Sequence, residues 1–333
     1  MAKIVLGMAS SHAPQLAMQP EQWRAYGDRS RTQGQHWFEG KTYSFEELLD
    51  RRAEEHLDRE CTDEKFRQRF DACQRAIAHL SETVARVKPD IAIIMGDDQH
   101  ESFVDDVLPS LAIYHGSMVD DAPPAPRGNG GGPNNFQDPI VGNVPKERLS
   151  QPIDAEFAQY LIEQLTANEF DITRTNQLSR REGAIGHAFY YVYRRLMDNR
   201  PVPSVPVMVN TYFPPNVPTA TRCYRLGKTL REAIEAWDSD KTVALFASGG
   251  LSHTVIEEQL DQRILDGLRS DDVTKLTDYP DVRFRAGTSE IKNWIALAGA
   301  MSGAGLEPHV VDYVPCYRTE AGNGCAMGMM EWT

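Results

Sequence analysis

Positive charge is in deficit in this 333-residue chain: 35 Lys and Arg stand against 48 Asp and Glu, a formal net charge of −13. Nucleic-acid binding draws on basic patches that neutralise phosphate, so the balance argues against a general partner of that kind. Long apolar runs are also missing. Nothing approaches the roughly 18 consecutive apolar residues that a bilayer span needs, and MAKIVLGMASSHAP lacks the extended apolar region and cleavage site of a signal peptide. The five cysteines, Cys61, Cys73, Cys223, Cys316 and Cys325, are odd in number and none has the CxxC spacing of metal-binding pairs. That pattern suits a reducing cytoplasm. The nucleophile elbow GxSxG is absent because SGGLS has the wrong spacing, there is no P-loop, and GNGGGPNN does not fit GxGxxG.

What is present, 41% hydrophobic and 25% charged residues, fits a globular protein. Short apolar runs read as buried strands: KIVLGMA (3–9), IAIIMG (91–96), LPSLAIYHG, VPVMVN (205–210), TVALFAS (242–248), then HVVDYVPCY and GCAMGMMEW. Helical patterns separate them. Ser44 and Glu47 form a capping-box signature, Thr62-Asp63 opens a helix stopped by Pro89-Asp90, and further helices are expected over 153–167 and 220–237 and from about Ser289. This alternation predicts an α/β fold: one domain over 1–333, a central mixed sheet covered by helices on both faces. Two long stretches, 15–43 and 117–150, read as irregular loops beside a functional site.

Several residues could carry chemistry. His12 follows the first strand, where open α/β sheets place ligand-binding loops. On an expected helix from 45 to 58, His56 shares the face of Leu48 and Ala53, so an inward imidazole in need of a partner is predicted. A core histidine satisfied by backbone carbonyls accounts for that pattern equally well. Glu290 heads an apolar stripe of Trp294, Leu297, Ala298 and Met301, in a first turn that favours negative charge, and it also reads as an ordinary capping carboxylate. Two imidazoles and one carboxylate make the facial triad of non-haem iron oxygenases. GDDQHESF places Asp97, Asp98 and His100 at a strand end, SGGLSH places Ser252 and His253 at another, and GAIGHAF presents His187 among small residues.

Taken together, SSHAP, the inward His56, DDQH, GHAF, SGGLSH and AGTSEIKNW followed by ALAGAM, in this order along most of the chain, resemble the class III extradiol ring-cleaving dioxygenases. Protocatechuate 4,5-dioxygenase β subunits and gallate-type dioxygenases belong to that family. The resemblance implies Fe(II) held by His12, His56 and Glu290, with His187 as the acid/base. It further implies a small aromatic acid and O2 as reactants, gallate or 3-O-methylgallate being favoured, and a homodimer or larger homo-oligomer without nucleic-acid or membrane partners. His100, His253, Ser252, Tyr212, Tyr317, Thr319 and Asn323 stand as candidates for supporting the ligands or contacting substrate. The chain departs from the pattern at Gln151-Pro152, where some relatives carry an active-site histidine, and no small α subunit is appended. A zinc metallohydrolase, or a non-catalytic metal-binding relative on the same fold, is the alternative that the same residue types permit.

Overall fold

The computed structural model describes residues 1–123, 145–178 and 183–333. In chain order the strands are β1 (Lys3–Ser10), β2 (His36–Phe38), β3 (Lys41–Tyr43), β4 (Ile91–Asp97), β5 (Leu111–Tyr114), β6 (Met118–Asp121) and β7 (Leu149–Pro152). They continue with β8 (Thr173–Thr175), β9 (Ser204–Val209), β10 (Thr242–Ser248), β11 (His253–Val255), β12 (Pro308–Tyr317) and β13 (Asn323–Trp332). The helices are α1 (Trp23–Thr32), α2 (Phe45–Arg51), α3 (Asp63–Val87), α4 (Ala155–Ala167), α5 (His187–Tyr191), α6 (Ala220–Ala236), α7 (Glu258–Ser270), α8 (Val273–Thr277) and α9 (Ile291–Met301).

The main sheet runs β11-β13-β1-β10-β4-β9-β5-β8, with β12 pairing β13 at its margin. β1, β10, β4 and β9 are mutually parallel, whereas β13 runs antiparallel to β1, and β5 antiparallel to β9 but parallel to β8. The sheet is therefore mixed, as expected. Both faces are covered, and alternate residues of one strand divide between them. Ile91, Ile93 and Met95 of β4 join a core with residues of α4, α6, α7 and α9, while Ala92 and Ile94 join the opposite core with residues of α3 and α5. That two-sided burial explains why β4 reads as a continuous apolar run instead of an alternating one.

Three expectations change. The helix starting at Phe45 ends at Arg51, with the capping box Ser44–Glu47 in place, and two 3-10 turns replace its second half. Arg52 is the cause: its buried guanidinium donates to the Ile256 carbonyl (3.1 Å) and pairs with Glu55, folding the chain into a tight turn. Residues 15–43 are ordered: they hold α1 and the β2–β3 hairpin, whose turn has positive φ at Glu39 and Gly40. Trp23 of α1 is buried, with its ring 5.4 Å from that of Phe66. Of the expected 117–150 loop, the ends pair as β6 and β7, and 124–144 lie outside the described residues.

Behind the sheet, α6 and α9 approach until backbone touches backbone. A Cβ on Gly227 would lie 1.7 Å from the Ala296 carbonyl oxygen, and one on Gly299 would lie 2.0 Å from that of Tyr224. Neither neighbour is a flexible side chain, so a methyl group can enter only by moving a helix. Gly299→Ala is expected to cost about 1–3 kcal/mol, as overpacking does, despite its better helix propensity. Thermal unfolding of the variant against wild type checks this; equal or higher stability would show that the helices separate freely.

Candidate active site

Because β1, β10 and β4 are parallel, their carboxyl ends deliver residues to one edge of the sheet, where open α/β folds collect their ligands. His12 follows β1, Asp97 and Gln99 end β4, and the 248–253 turn follows β10. Glu290 closes a 3-10 turn (Ala286–Glu290) that leads into α9, and His187 is the first residue of α5. A cavity of about 200 Å³ opens onto this edge, lined by His12, Gln99, His187, Tyr212, His253 and Glu290 and by Tyr26, Gln33 and Arg318 among others.

Glu290 is the hub. Its Oε2 accepts from the Gly250 amide (2.8 Å) and lies 3.3 Å from His12 Nε2. Its Oε1 accepts from Gln99 Nε2 (3.0 Å) and lies 3.2 Å from His253 Nε2. Gln99 Nε2 also donates to Asp97 Oδ2 (3.1 Å). His12 is oriented from behind by Ser248 Oγ, 2.9 Å from its Nδ1. His253 lies with its Nδ1 against the Leu251 carbonyl (2.8 Å), and its ring sits between Gly250 and Gly287. A Cβ on either glycine would come within 2.5 Å of that ring, which accounts for glycine at both positions.

Glu101 fixes His187. The carboxylate accepts from the His187 backbone amide (3.0 and 3.1 Å) and meets Nδ1 at 2.7 Å, so Nε2 is the ring atom presented to the cluster. Gly186 permits this approach, since a Cβ there would lie 2.4 Å from Glu101 Oε2. Burial opposes a charged His187, but Glu101, and then Asp97 and Glu290, overcome it and raise its pKa to about 10. The same competition, with Glu290 as the main partner, brings His253 to about 10. Glu290 is buried, which by itself raises a carboxylic acid, yet His253 and His12 hold it well below the usual carboxylate range. Asp97 moves the other way: burial and the neighbouring Glu290 charge push it up.

The residues fit a cation. His12, Asp97, His187 and Glu290 bring one possible ligand atom each within 4.8 Å of one another. Asp97 is fully buried and its Oδ1 has no hydrogen-bond partner among the described residues. A buried carboxylate oxygen left in that state is costly unless a proton or a positive ion meets it. A second group with possible ligand atoms, His79, His309 and Glu331, lies outside this cavity where α3 meets β12 and β13.

Thus the fold brings together His12, Glu290, His187, His253 and Tyr212, all expected from the sequence, and leaves others apart. His56 is a correction: it is exposed, in a left-handed conformation (φ 52°) between the two 3-10 turns, and it does not line the cavity. His100, also at positive φ, stacks on Phe213 (ring centroids 3.7 Å apart) and reaches toward Asp105 instead of the site. Ser252 is held by Asp261, with Oγ donating to Oδ2 (2.6 Å). Tyr317 donates to Glu258 (2.6 Å), facing another depression. Thr319 and Asn323 bond each other (2.7 Å) across the β12–β13 turn, and Asn323 also meets His36 Nδ1 (3.0 Å). Gln151, where some relatives place a histidine, donates to Asp121 (2.7 Å).

The sequence reading passed over Gln99, Glu101, Ser248 and Arg318. Asp97 ends β4, and Gln99 and Glu101 follow in a bend where His100 has positive φ, so no strand period marked them. Arg318 had no signal either, because its place depends on how the β12–β13 hairpin meets α1.

Residues 72–324 match the family model described as the catalytic LigB subunit of aromatic ring-opening dioxygenase. The chain is 31% identical over 175 residues to gallate dioxygenase of Pseudomonas putida, an alignment covering 48% of this chain and 49% of that protein. It is 25% identical over 182 residues to 2,3-dihydroxyphenylpropionate/2,3-dihydroxicinnamic acid 1,2-dioxygenase of Comamonas testosteroni, covering 55% and 49% respectively. The chain thus spans about half the length of these relatives.

The raised pKa of His187 carries a stability consequence for metal-free protein. The protonated imidazole is favoured in the folded state, so its contribution is fully present below about pH 6.5 and lost as pH rises through about 10. Glu101→Gln removes the leading favourable partner and is expected to flatten that part of the profile. Melting temperatures of metal-free wild type and variant from pH 6 to 10 make the comparison; parallel curves would remove the Glu101–His187 pair as the cause.

Proposed function

The chain belongs to the family of catalytic LigB subunits of aromatic ring-opening dioxygenases, and from that premise we propose that it cleaves the ring of a catechol-type benzoate, gallate or 3-O-methylgallate, in an Fe(II)-dependent extradiol reaction. The observation that carries this reading is the group of His12, Asp97, His187 and Glu290, whose possible ligand atoms lie within 4.8 Å of one another, together with a buried Asp97 oxygen that has no hydrogen-bond partner among the described residues. His12, Asp97 and Glu290 would hold the ion, so Asp97 takes the place that His56 was expected to fill and the set becomes one imidazole and two carboxylates instead of the reverse. Bound Fe(II) supplies open positions for a diol and for O2, and an electron path between them.

The protein's own groups do the rest. Ser248 and the Gly250 amide orient His12 and Glu290. Glu101 keeps His187 Nδ1 occupied, so proton traffic runs through Nε2. Neutralising the charges of Asp97 and Glu290 removes two of the influences that raise His187. Its Nε2 can then take a phenolic proton from the substrate and return one during ring opening, the two-way service suited to an imidazole. Tyr212 is itself raised to about 12, by burial and then by Glu290 and Asp97. It therefore stays protonated and offers the cavity a hydrogen-bond donor. Opening the ring beside the diol yields a ring-opened acid or its lactone.

Oxygen uptake and ultraviolet spectra after anaerobic Fe(II) loading, with gallate, 3-O-methylgallate and protocatechuate in parallel, test the reaction. Uptake with loss of the aromatic band is expected for at least one substrate. Full activity with zinc alone, or no uptake with any of the three, would overturn the reading. Two variants separate the roles. Asp97→Asn is expected to lose most Fe(II) affinity at this site, whereas His187→Ala keeps iron and loses about 10²–10⁴-fold in turnover. Because His79, His309 and Glu331 form a second group, metal is best compared between variant and wild type, not as total content. Loss of iron from His187→Ala would make that histidine a ligand instead.

A further inference from the structure

Arg318 follows the last residue of β12 and lines the same cavity as the metal-fitting cluster, yet it is only 5% exposed. Its hydrogen-bond acceptors are all uncharged side chains. Nε donates to Ser30 Oγ (3.0 Å) and Nη1 to Gln15 Oε1 (3.1 Å), with Cys325 Sγ at 3.9 Å. The guanidinium lies over the Tyr26 ring, 4.3 Å from its centroid. No carboxylate pairs with it among the described residues, and its Nη2 makes no hydrogen bond there. Other sunken arginines are treated differently: Arg52 has Glu55, Arg69 has Glu60, and Arg194 has Asp121. Burying a charge without an opposite one is unfavourable enough that proteins rarely do it without a use.

The position is also built. Gly27 of α1 lets that helix close on the hairpin, since a Cβ there would lie 2.4 Å from the Arg318 carbonyl oxygen. Gln15 is tied in turn to the Cys316 carbonyl (3.2 Å), three residues on from His12 in the chain. Arg318 therefore brings a cationic group to the cavity that His12, His187, His253 and Glu290 also line.

We propose that Arg318 is the anion anchor of this site: it receives the ring carboxylate of the substrate while the diol meets the metal-fitting cluster, and it makes the enzyme select aromatic acids over neutral catechols. This rests on the ring-cleavage reading for the identity of the diol only. A guanidinium held in place by two neutral acceptors keeps a donor edge for a carboxylate and needs little reorganisation to receive one. Tyr26, stacked beneath it, supports the guanidinium plane.

The test is anaerobic binding, read by intrinsic fluorescence, of 3,4-dihydroxybenzoate and of its neutral counterpart 3,4-dihydroxybenzamide. Wild type is expected to prefer the acid by about 10- to 100-fold, the range of a charge-assisted hydrogen bond. Arg318→Gln brings the ratio near unity, and Arg318→Lys keeps part of it. If wild type binds both alike, or if Arg318→Gln weakens both equally, the anchor is refuted. Should Arg318→Gln fail to fold, the wild-type ratio together with that of Arg318→Lys decides. Acid preference without oxygen uptake on any catechol would keep the anchor and reject the ring-cleavage reading; uptake without acid preference would do the reverse.

Discussion

Two carboxylates, Asp97 and Glu290, are buried at one edge of the sheet beside His12 and His187, and the arrangement of the site follows from keeping them there. Each would avoid such a place on its own. Glu290 is tolerated because an amide, a glutamine and two imidazoles surround it; Asp97 has one oxygen satisfied and one not. No group among the described residues removes the imbalance; a proton on Asp97 or a positive ion would. The charge of the cluster, its raised histidines and its suitability for a metal are therefore aspects of one electrostatic problem.

Local sequence made the frame and part of the site readable. Parallel strands with both faces covered leave long apolar runs, so β4 and β10 stood out, and residues just after such strands are natural candidates. His12 and His253 were singled out that way, and Glu290 by its place ahead of an apolar helix, and all three line the cavity. His56 failed for a reason of the same kind. Helical spacing near Ala53 looked amphipathic, but Arg52 had a stronger claim on the interior than the histidine did, and satisfying its guanidinium broke the helix. Gln99 and Glu101 were obscured by their neighbour His100, whose imidazole drew the functional reading although it stacks on Phe213 outside the cavity.

Arg318 shows what no local pattern could supply. Its significance lies in which charges are missing around it, and that depends on α1, the turn after β1 and the β12–β13 hairpin meeting in three dimensions. Thr319 and Asn323, one and five residues further on, looked equally suitable as polar contacts. They instead spend their hydrogen bonds closing the hairpin that carries Arg318.

The tight seam between α6 and α9 has a bearing on how such a protein can diverge. Glu290 precedes α9 directly, so the carboxylate is carried by a helix held against α6 at Gly227 and Gly299. The surroundings of Arg318 are assembled separately, from a hairpin turn, α1 and the chain after β1. Residues there can change without touching the Gly227–Gly299 seam that carries Glu290.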